Sequence, residues 1–296
     1  MKQLQHDRND DLAPGVLQQV APGIRRVLCP NPSPFTFRGT NTWIIGQGSV
    51  AVIDPGPVVP SHQAAILAAL SGETVSHVVI THTHHDHSPG TPGLVAATGA
   101  ATVGFGPHMT PKSEEVGEGG DHHFHPEITL PDGGVLQGEG WRLTAAHTPG
   151  HCGNHICLGV EGAGEPGTLV SGDHVMSWST TIVSPPDGAM AAYMDSLERL
   201  LTRSGDRVYL PGHGPVLHDP LAYVSGLLEH RREREGAVFE ALSAAPKRME
   251  QLVAAVYGGI DERLVRAAAR SLLAHLQKLR DDGLAAEEPG GAWVRI

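Results

Sequence analysis

The chain has 296 residues, 21 basic and 32 acidic side chains, a net charge of −11, three cysteines and nineteen histidines. A hydrophobic content of 40% is enough for a buried core and excludes wholesale disorder, and the lack of any apolar run of 18 residues excludes a transmembrane helix. Three cysteines make no disulfide framework, and the polar opening MKQLQHDRNDDLAPG lacks the apolar core of a secretory signal, so the expectation is a cytoplasmic protein with no membrane partner.

In chain order, Thr42–Ile45 and Val50–Ile53 flank Gly46-Gln47-Gly48 and predict a β-hairpin. Ser61–Leu70 predicts a helix with Ser61 as its N-cap, followed by a buried strand over Val75–Thr81. A short helix over Leu94–Gly99 and a strand over Ala101–Phe105 precede a loop at 106–126 rich in His, Gly and Glu. Strand patterns recur at Ile128–Leu130, Val135–Leu136, Leu143–Ala146, Ile156–Val160 and Thr168–Ser171. A helix over Met190–Thr202 and a strand over Val208–Leu210 complete this part. Strands interleaved with helices and hairpins predict an α/β protein with mixed sheets.

Charge and composition change near residue 224. Residues 1–224 hold all of the −11, whereas 225–296 balance eleven basic against eleven acidic residues and are poorer in Gly and Pro. The predicted division is therefore a catalytic domain over 1–224 and a helical domain over 225–296. In the latter, helices over 225–245, 247–257 and 260–282 precede two short strands, Gly283-Leu284 and Trp293–Ile296, a winged-helix pattern.

The chemistry is concentrated at strand ends. His82-Thr83-His84-His85-Asp86-His87 directly follows the strand over 75–81. Imidazole and carboxylate are ligands that borderline dications such as Zn²⁺ take at neutral pH. A sharp loop that splays alternate side chains would send His82 and His84 to one metal and Asp86 and His87 to a second. Three later turns, Thr148-Pro149-Gly150-His151, Ser171-Gly172-Asp173 and Pro211-Gly212-His213-Gly214, each leave a strand-like run and add one more ligand type. Four such loops point to a two-metal site.

These four motifs, in this order, resemble the metallo-β-lactamase superfamily. The resemblance implies an αββα sandwich with a dinuclear site at one edge of the sheets and two Zn²⁺ per chain. It assigns His82, His84 and His151 to one metal, Asp86, His87 and His213 to the other, and Asp173 to both. It also implies hydrolysis by a hydroxide shared between the metals, with Asp86 doubling as the acceptor that orients the nucleophile. His155, His174, Trp178 and Thr180 are candidate substrate contacts, with a core role for His155 equally open. Phe35, Phe37 and Trp178 could line an apolar pocket. His85 alternates away from the metals, and His147 and Cys152 read as packing residues. His108, His122, His123 and His125 read as solvated or rim residues of the 106–126 loop.

Within the superfamily the chain departs from several branches. His84 stands where flavodiiron oxygen reductases carry Glu, and Asp173 where true metallo-β-lactamases usually carry Cys. The spacing from Asp173 to His213 leaves no room for the inserted domain of β-CASP nucleases. His151-Cys152-Gly153-Asn154-His155 is similar to glyoxalase II, whose C-terminal helices do not match. Asn31–Thr36, Gly39–Thr42, Ile53-Asp54-Pro55-Gly56, Tyr193–Leu197, Tyr209–Val216 and Leu273–Leu279 resemble the lactamase-β-like protein 2 group over most of the chain. That resemblance implies either cleavage of single-stranded RNA or hydrolysis of small acyl substrates such as thioesters or lactones, with RNA placed first. A winged-helix binding protein with a vestigial metal site is a third reading. Arg263, Arg266 and Arg270 share one face of the third C-terminal helix, either as a phosphate-contacting stripe or as a solvated face. The C-terminal domain could equally wall the cleft or support a homodimer.

Overall fold

Two twisted sheets pack face to face, and their facing sides are built by alternation of apolar residues along each strand. The computed structural model describes residues 4–115 and 119–296, apart from the Arg263 side chain. The first sheet is seven-stranded in the order β1 (Leu17–Ala21), β2 (Ile24–Leu28), β3 (Asn41–Gln47), β4 (Ser49–Ile53), β5 (Thr74–Val79), β6 (Ala101–Gly104) and β7 (Ile128–Thr129). The second contains β8 (Val135–Gln137), β9 (Arg142–His147), β10 (Ile156–Glu161), β11 (Thr168–Gly172), β12 (Val208–Pro211) and β13 (Leu217–His218), ordered from β13 to β8.

Between the sheets lies a core that includes Trp43, Ile45, Ile53, Val79, Leu143, Leu158, Val170 and Leu210. Helices α1 (Pro60–Ala69) and α2 (Thr91–Thr98) cover the outer face of the first sheet through Ile66 and Leu94. Helices α3 (Met190–Leu201) and α4 (Pro220–Ala241) cover the second through Met190, Leu197, Val224 and Leu227. The result is a four-layered αββα sandwich.

Two strands precede the first predicted one. Arg25 and Arg26 break the apolar pattern of β2, yet all five of its residues are buried. Burial is possible because Arg26 pairs with Asp10 at 2.7 Å, Arg25 pairs with Glu73, and both donate further bonds to main-chain carbonyls. The predicted N-cap of α1 is also corrected. Val59 caps the helix and Pro60 occupies its first turn, where its fixed φ and missing N–H suit the start, so Ser61 lies inside.

The C-terminal part comprises α5 (Met249–Val256), α6 (Val265–Asp281) and a hairpin of β14 (Ala285–Glu288) and β15 (Ala292–Arg295). Trp293 of β15 is buried against Leu252, Leu272, Leu276 and Leu279, giving this winged-helix unit a small core of its own. Helix α4 runs through residue 224 without a break and supplies both Val224 to the sandwich and Val238 to the wing. Among the described residues no helix is long and apolar enough to cross a membrane.

Candidate metal centre

The site is assembled where strands end. β5 leads into the His82–His87 loop, β9 into the turn bearing His151, β11 into Asp173 and β12 into His213. Strands β4 and β5 run parallel, as do β11 and β12, so their C-terminal ends meet at one edge of the sandwich. Two glycines are required there. Gly150 has φ +134°, and a Cβ would lie 2.3 Å from the Tyr193 backbone; a Cβ on Gly212 would lie 2.2 Å from Asp173 Oδ1.

The seven predicted ligands form two adjacent clusters. His82, His84 and His151 bring one ligand atom each to within 4.8 Å of one another, and Asp86, His87, Asp173 and His213 do the same. His82 Nε2 lies 3.1 Å from His84 Nδ1, His213 Nε2 lies 3.1 Å from Asp86 Oδ2, and His87 Nε2 lies 3.5 Å from Asp173 Oδ1. Asp173 Oδ2 is 3.3 Å from His213 Nε2 and 3.6 Å from His151 Nε2, so this carboxylate reaches both clusters. A tetrahedral dication with bonds of about 2.1 Å separates its ligand atoms by about 3.4 Å, which these spacings match.

The donor set fits such ions in a second way. His87 Nε2, His151 Nε2 and Asp173 Oδ1 are buried with no hydrogen-bond partner, although burying an unsatisfied polar atom is costly. Burial, and then the neighbouring imidazoles, hold His82 well below the ordinary histidine range and His151 at about 4, so both are neutral, the form a dication takes as ligand. Burial opposes charge on His87 and His213 as well. Asp86 and Asp173 outweigh it, raising His87 well above its usual value and His213 to about 10. A dication at this place would displace those protons, which couples metal binding to proton release.

Each imidazole is aimed by its other nitrogen. His87 Nδ1 donates to Asp54 Oδ2 at 2.9 Å, His151 Nδ1 to the Ile182 carbonyl at 2.7 Å and His213 Nδ1 to the Gly39 carbonyl at 3.1 Å. His84 Nε2 lies 3.2 Å from Asp187 Oδ2, and His82 Nδ1 lies 3.1 Å from Thr81 Oγ1. Such partners fix ring orientation and tautomer. Asp54 is itself over-determined. It adopts φ +52°, accepts from the Thr81 amide and hydroxyl, and receives Thr42 Oγ1 on its carbonyl. The sequence reading assigned no role to Asp54 or Asp187. Asp54 lies in the motif Ile53-Asp54-Pro55-Gly56, whereas Asp187 carries no local signal.

A cavity of about 600 Å³ opens above the clusters. Asp86, His84, His151 and Asp173 form its floor, Phe35, Met176, Ile182 and Pro185 contribute apolar wall, and Arg266 and Arg270 enter from α6. Of the predicted aromatic lining only Phe35 reaches this cavity; Phe37 stacks on Trp178 with ring centroids 5.0 Å apart. His155, His174, Trp178 and Thr180, the candidate substrate contacts, are not among the residues that line this cavity; the first three are buried and Thr180 is half-buried. His155 is fully buried, bonded to Thr148 Oγ1 at 2.9 Å, and accepts the Asp173 amide at 3.2 Å, so it props up Asp173. His174 turns under the site against Tyr193 because Thr181 Oγ1 ties down the carbonyls of Asp173 and His174.

His147 stacks on Phe105 and donates to the Gly153 carbonyl, and Cys152 is buried beside Asn154. His85 is exposed and borders the cavity. The Arg263 side chain falls outside the described residues.

Residues 35–213 match the family model described as the Metallo-beta-lactamase superfamily, and residues 249–293 match the Beta-lactamase associated winged helix domain. The sequence is 33% identical to an atrochrysone carboxyl ACP thioesterase of Aspergillus terreus, over 96% of this chain and 87% of that protein. It is 31% identical to the Beta-lactamase-like protein 2 homolog of Drosophila melanogaster, over 92% of each. A beta-lactamase domain protein from Burkholderia ambifaria has the same fold, with a TM-score of 0.80 at 23% identity over 97% of this chain and 96% of that one.

Proposed function

The chain belongs to the metallo-beta-lactamase superfamily, and from that premise we propose that it is a dinuclear zinc-dependent hydrolase of acyl substrates, thioesters first among them. The observation that carries this reading is the pair of ligand clusters opening into one largely apolar cavity of about 600 Å³. His82, His84 and His151 would hold one Zn²⁺, Asp86, His87 and His213 the other, and Asp173 both. When bound, the two dications would supply Lewis acidity and acidify a water toward neutral pH.

The protein's own groups do the rest. Asp86 borders the cavity and presents a carboxylate that can accept the proton of an incoming water and orient it toward the scissile carbonyl. Phe35, Met176, Ile182 and the Pro185–Pro186 wall bind an acyl chain and exclude bulk water. Arg266 and Arg270 add two cations to the lining, which favours a substrate with an anionic group away from the scissile bond. A thiolate is a good leaving group and needs no strong acid. The likeness to a protein named as an ACP thioesterase supports the same class.

Cleavage of single-stranded RNA is the second reading, favoured by Arg266 and Arg270 in the cavity. Two cations are fewer than a groove tracking a phosphate backbone generally uses, and the sandwich part of the chain is acidic. This reverses the order that the sequence suggested. A binding protein with a vestigial site is disfavoured by the complete donor set.

The deciding experiment is a parallel screen of acyl-thioesters, lactones and labelled single-stranded RNA, with Asp86→Ala as the blank. Turnover of thioesters that is lost in the variant is expected. Turnover of RNA alone would replace the acyl reading.

A further inference from the structure

A second group of ligand-type side chains lies at the mouth of the cavity, in the loop read from sequence as solvated rim. His108, Glu115 and His122 each bring one ligand atom to within 4.8 Å of the others. Glu115 Oε1 is 2.7 Å from His122 Nε2 and 3.4 Å from His108 Nε2, and the two rings meet edge to face with centroids 5.0 Å apart. Both imidazoles therefore converge on one carboxylate.

An ordinary ion pair explains only half of this. His122 with Glu115 would make a sufficient surface pair, and the Gly120 amide already donates to the same oxygen at 2.7 Å. His108 is the unexplained member. It is only 9% exposed, its Nδ1 is engaged by Thr83 Oγ1 at 2.8 Å, and its Nε2 is buried without a hydrogen-bond partner. That is how a metal-ligating histidine is built: one nitrogen fixed by a neighbour, the other left free and aimed.

The backbone is adapted to hold it there. A Cβ on Gly120 would lie 2.2 Å from the His108 ring, so glycine is what lets the ring seat. Asp121 anchors the strand of chain that carries His122, through its amide to the Thr83 carbonyl at 2.7 Å and its Oδ2 from Ser88 Oγ at 2.8 Å.

We propose that His108, Glu115 and His122 form a third, mononuclear cation site for a borderline divalent ion such as Zn²⁺, distinct from the dinuclear centre. Two neutral imidazoles and one carboxylate are a usual three-ligand set for such an ion, with a fourth position left for water or substrate. His108 and Glu115 line the cavity, so that position borders the substrate space. Thr83 stands between His82 and His84 in sequence and bonds to His108, which links this site mechanically to the ligand loop. The site goes beyond the proposed hydrolase function and does not depend on its substrate.

The test is zinc stoichiometry. The full-length protein is saturated with Zn²⁺, freed of excess by gel filtration, and its zinc per chain counted by elemental mass spectrometry. Wild type is compared with Glu115→Gln, His122→Asn and Asp173→Ala, each checked by circular dichroism. The expected result is one zinc fewer per chain in both Glu115→Gln and His122→Asn than in wild type. His122 is partly exposed, so His122→Asn decides the matter if Glu115→Gln does not fold. Equal zinc in wild type and these variants overturns the third site. The Asp173→Ala difference reports separately on the dinuclear centre, so either reading can fail without the other.

Discussion

The floor and the far wall of the cavity are built on different terms. On the floor all five imidazoles of the two clusters are aimed by a second partner: Asp54 behind His87, Ile182 behind His151, Gly39 behind His213, Asp187 behind His84 and Thr81 behind His82. On the wall, Arg270 of α6 donates one bond from Nε to Ser184 Oγ at 2.9 Å, and its Nη2 is buried with no partner. The floor is preorganised for one chemistry, and the wall keeps an uncommitted cation for whatever enters. The candidate metal centre and this cation thus come from separate parts of the chain.

The sharpest break in that contrast is Asp173→Ala, which removes the carboxylate shared by both clusters. Activity should fall by about 10³-fold or more, with loss of at least one zinc. Two full equivalents retained at the dinuclear centre would break the bridging assignment. Next in size is a pH effect on the support beneath the floor. His62 bonds to Thr42 Oγ1, which in turn donates to the Asp54 carbonyl, and burial holds His62 at about 4. The unfolded chain therefore takes up this proton first. The stability that His62 contributes is present above about pH 6.5 and is lost as pH falls toward 4, to a total of about 3 kcal/mol. Urea unfolding across that window should show a shallower pH slope in His62→Gln; identical slopes would remove His62 from the account.

Asp54→Asn tests the aiming partners directly. Zinc affinity measured by chelator competition should weaken by about 10- to 100-fold. An unchanged affinity would mean that the floor is less preorganised than the geometry suggests. The smallest effect is expected on the wall. Arg270→Met should raise KM about tenfold for a thioester bearing an anionic tail and leave kcat, and neutral thioesters, nearly untouched. A fall in kcat for both would move Arg270 into the catalytic machinery.

What was legible in the sequence follows the same division. The ligand loops could be read because each places its chemistry within a few residues of a strand end, as in His82–His87 after β5. The aiming partners could not: Asp54 and Asp187 act across 33 and 103 residues, and only the folded chain joins them to His87 and His84. His174 follows Asp173 in sequence, which suggests the cavity, but the chain turns its ring inward because Thr181 bonds back to the carbonyls of Asp173 and His174. The compositional step at 224 falls inside α4, whose Val224, Leu227 and Leu228 pack in the sandwich and whose Val238 packs in the wing, so one continuous helix serves two cores. Strand β2 was hidden by two arginines whose acidic partners lie elsewhere in the sequence.

That helix has a mechanical meaning. With 22 residues, α4 is a rod of about 33 Å, and it is clamped partway along by Arg231, which is buried, lies over the Tyr193 ring and donates to the Thr181 carbonyl. A rod fixed in this way resists bending far more than a loop of equal length. The wing is therefore mounted as on a strut, not hung on a hinge, and Ala274 and Arg270 of α6 brace it against the sandwich a second time.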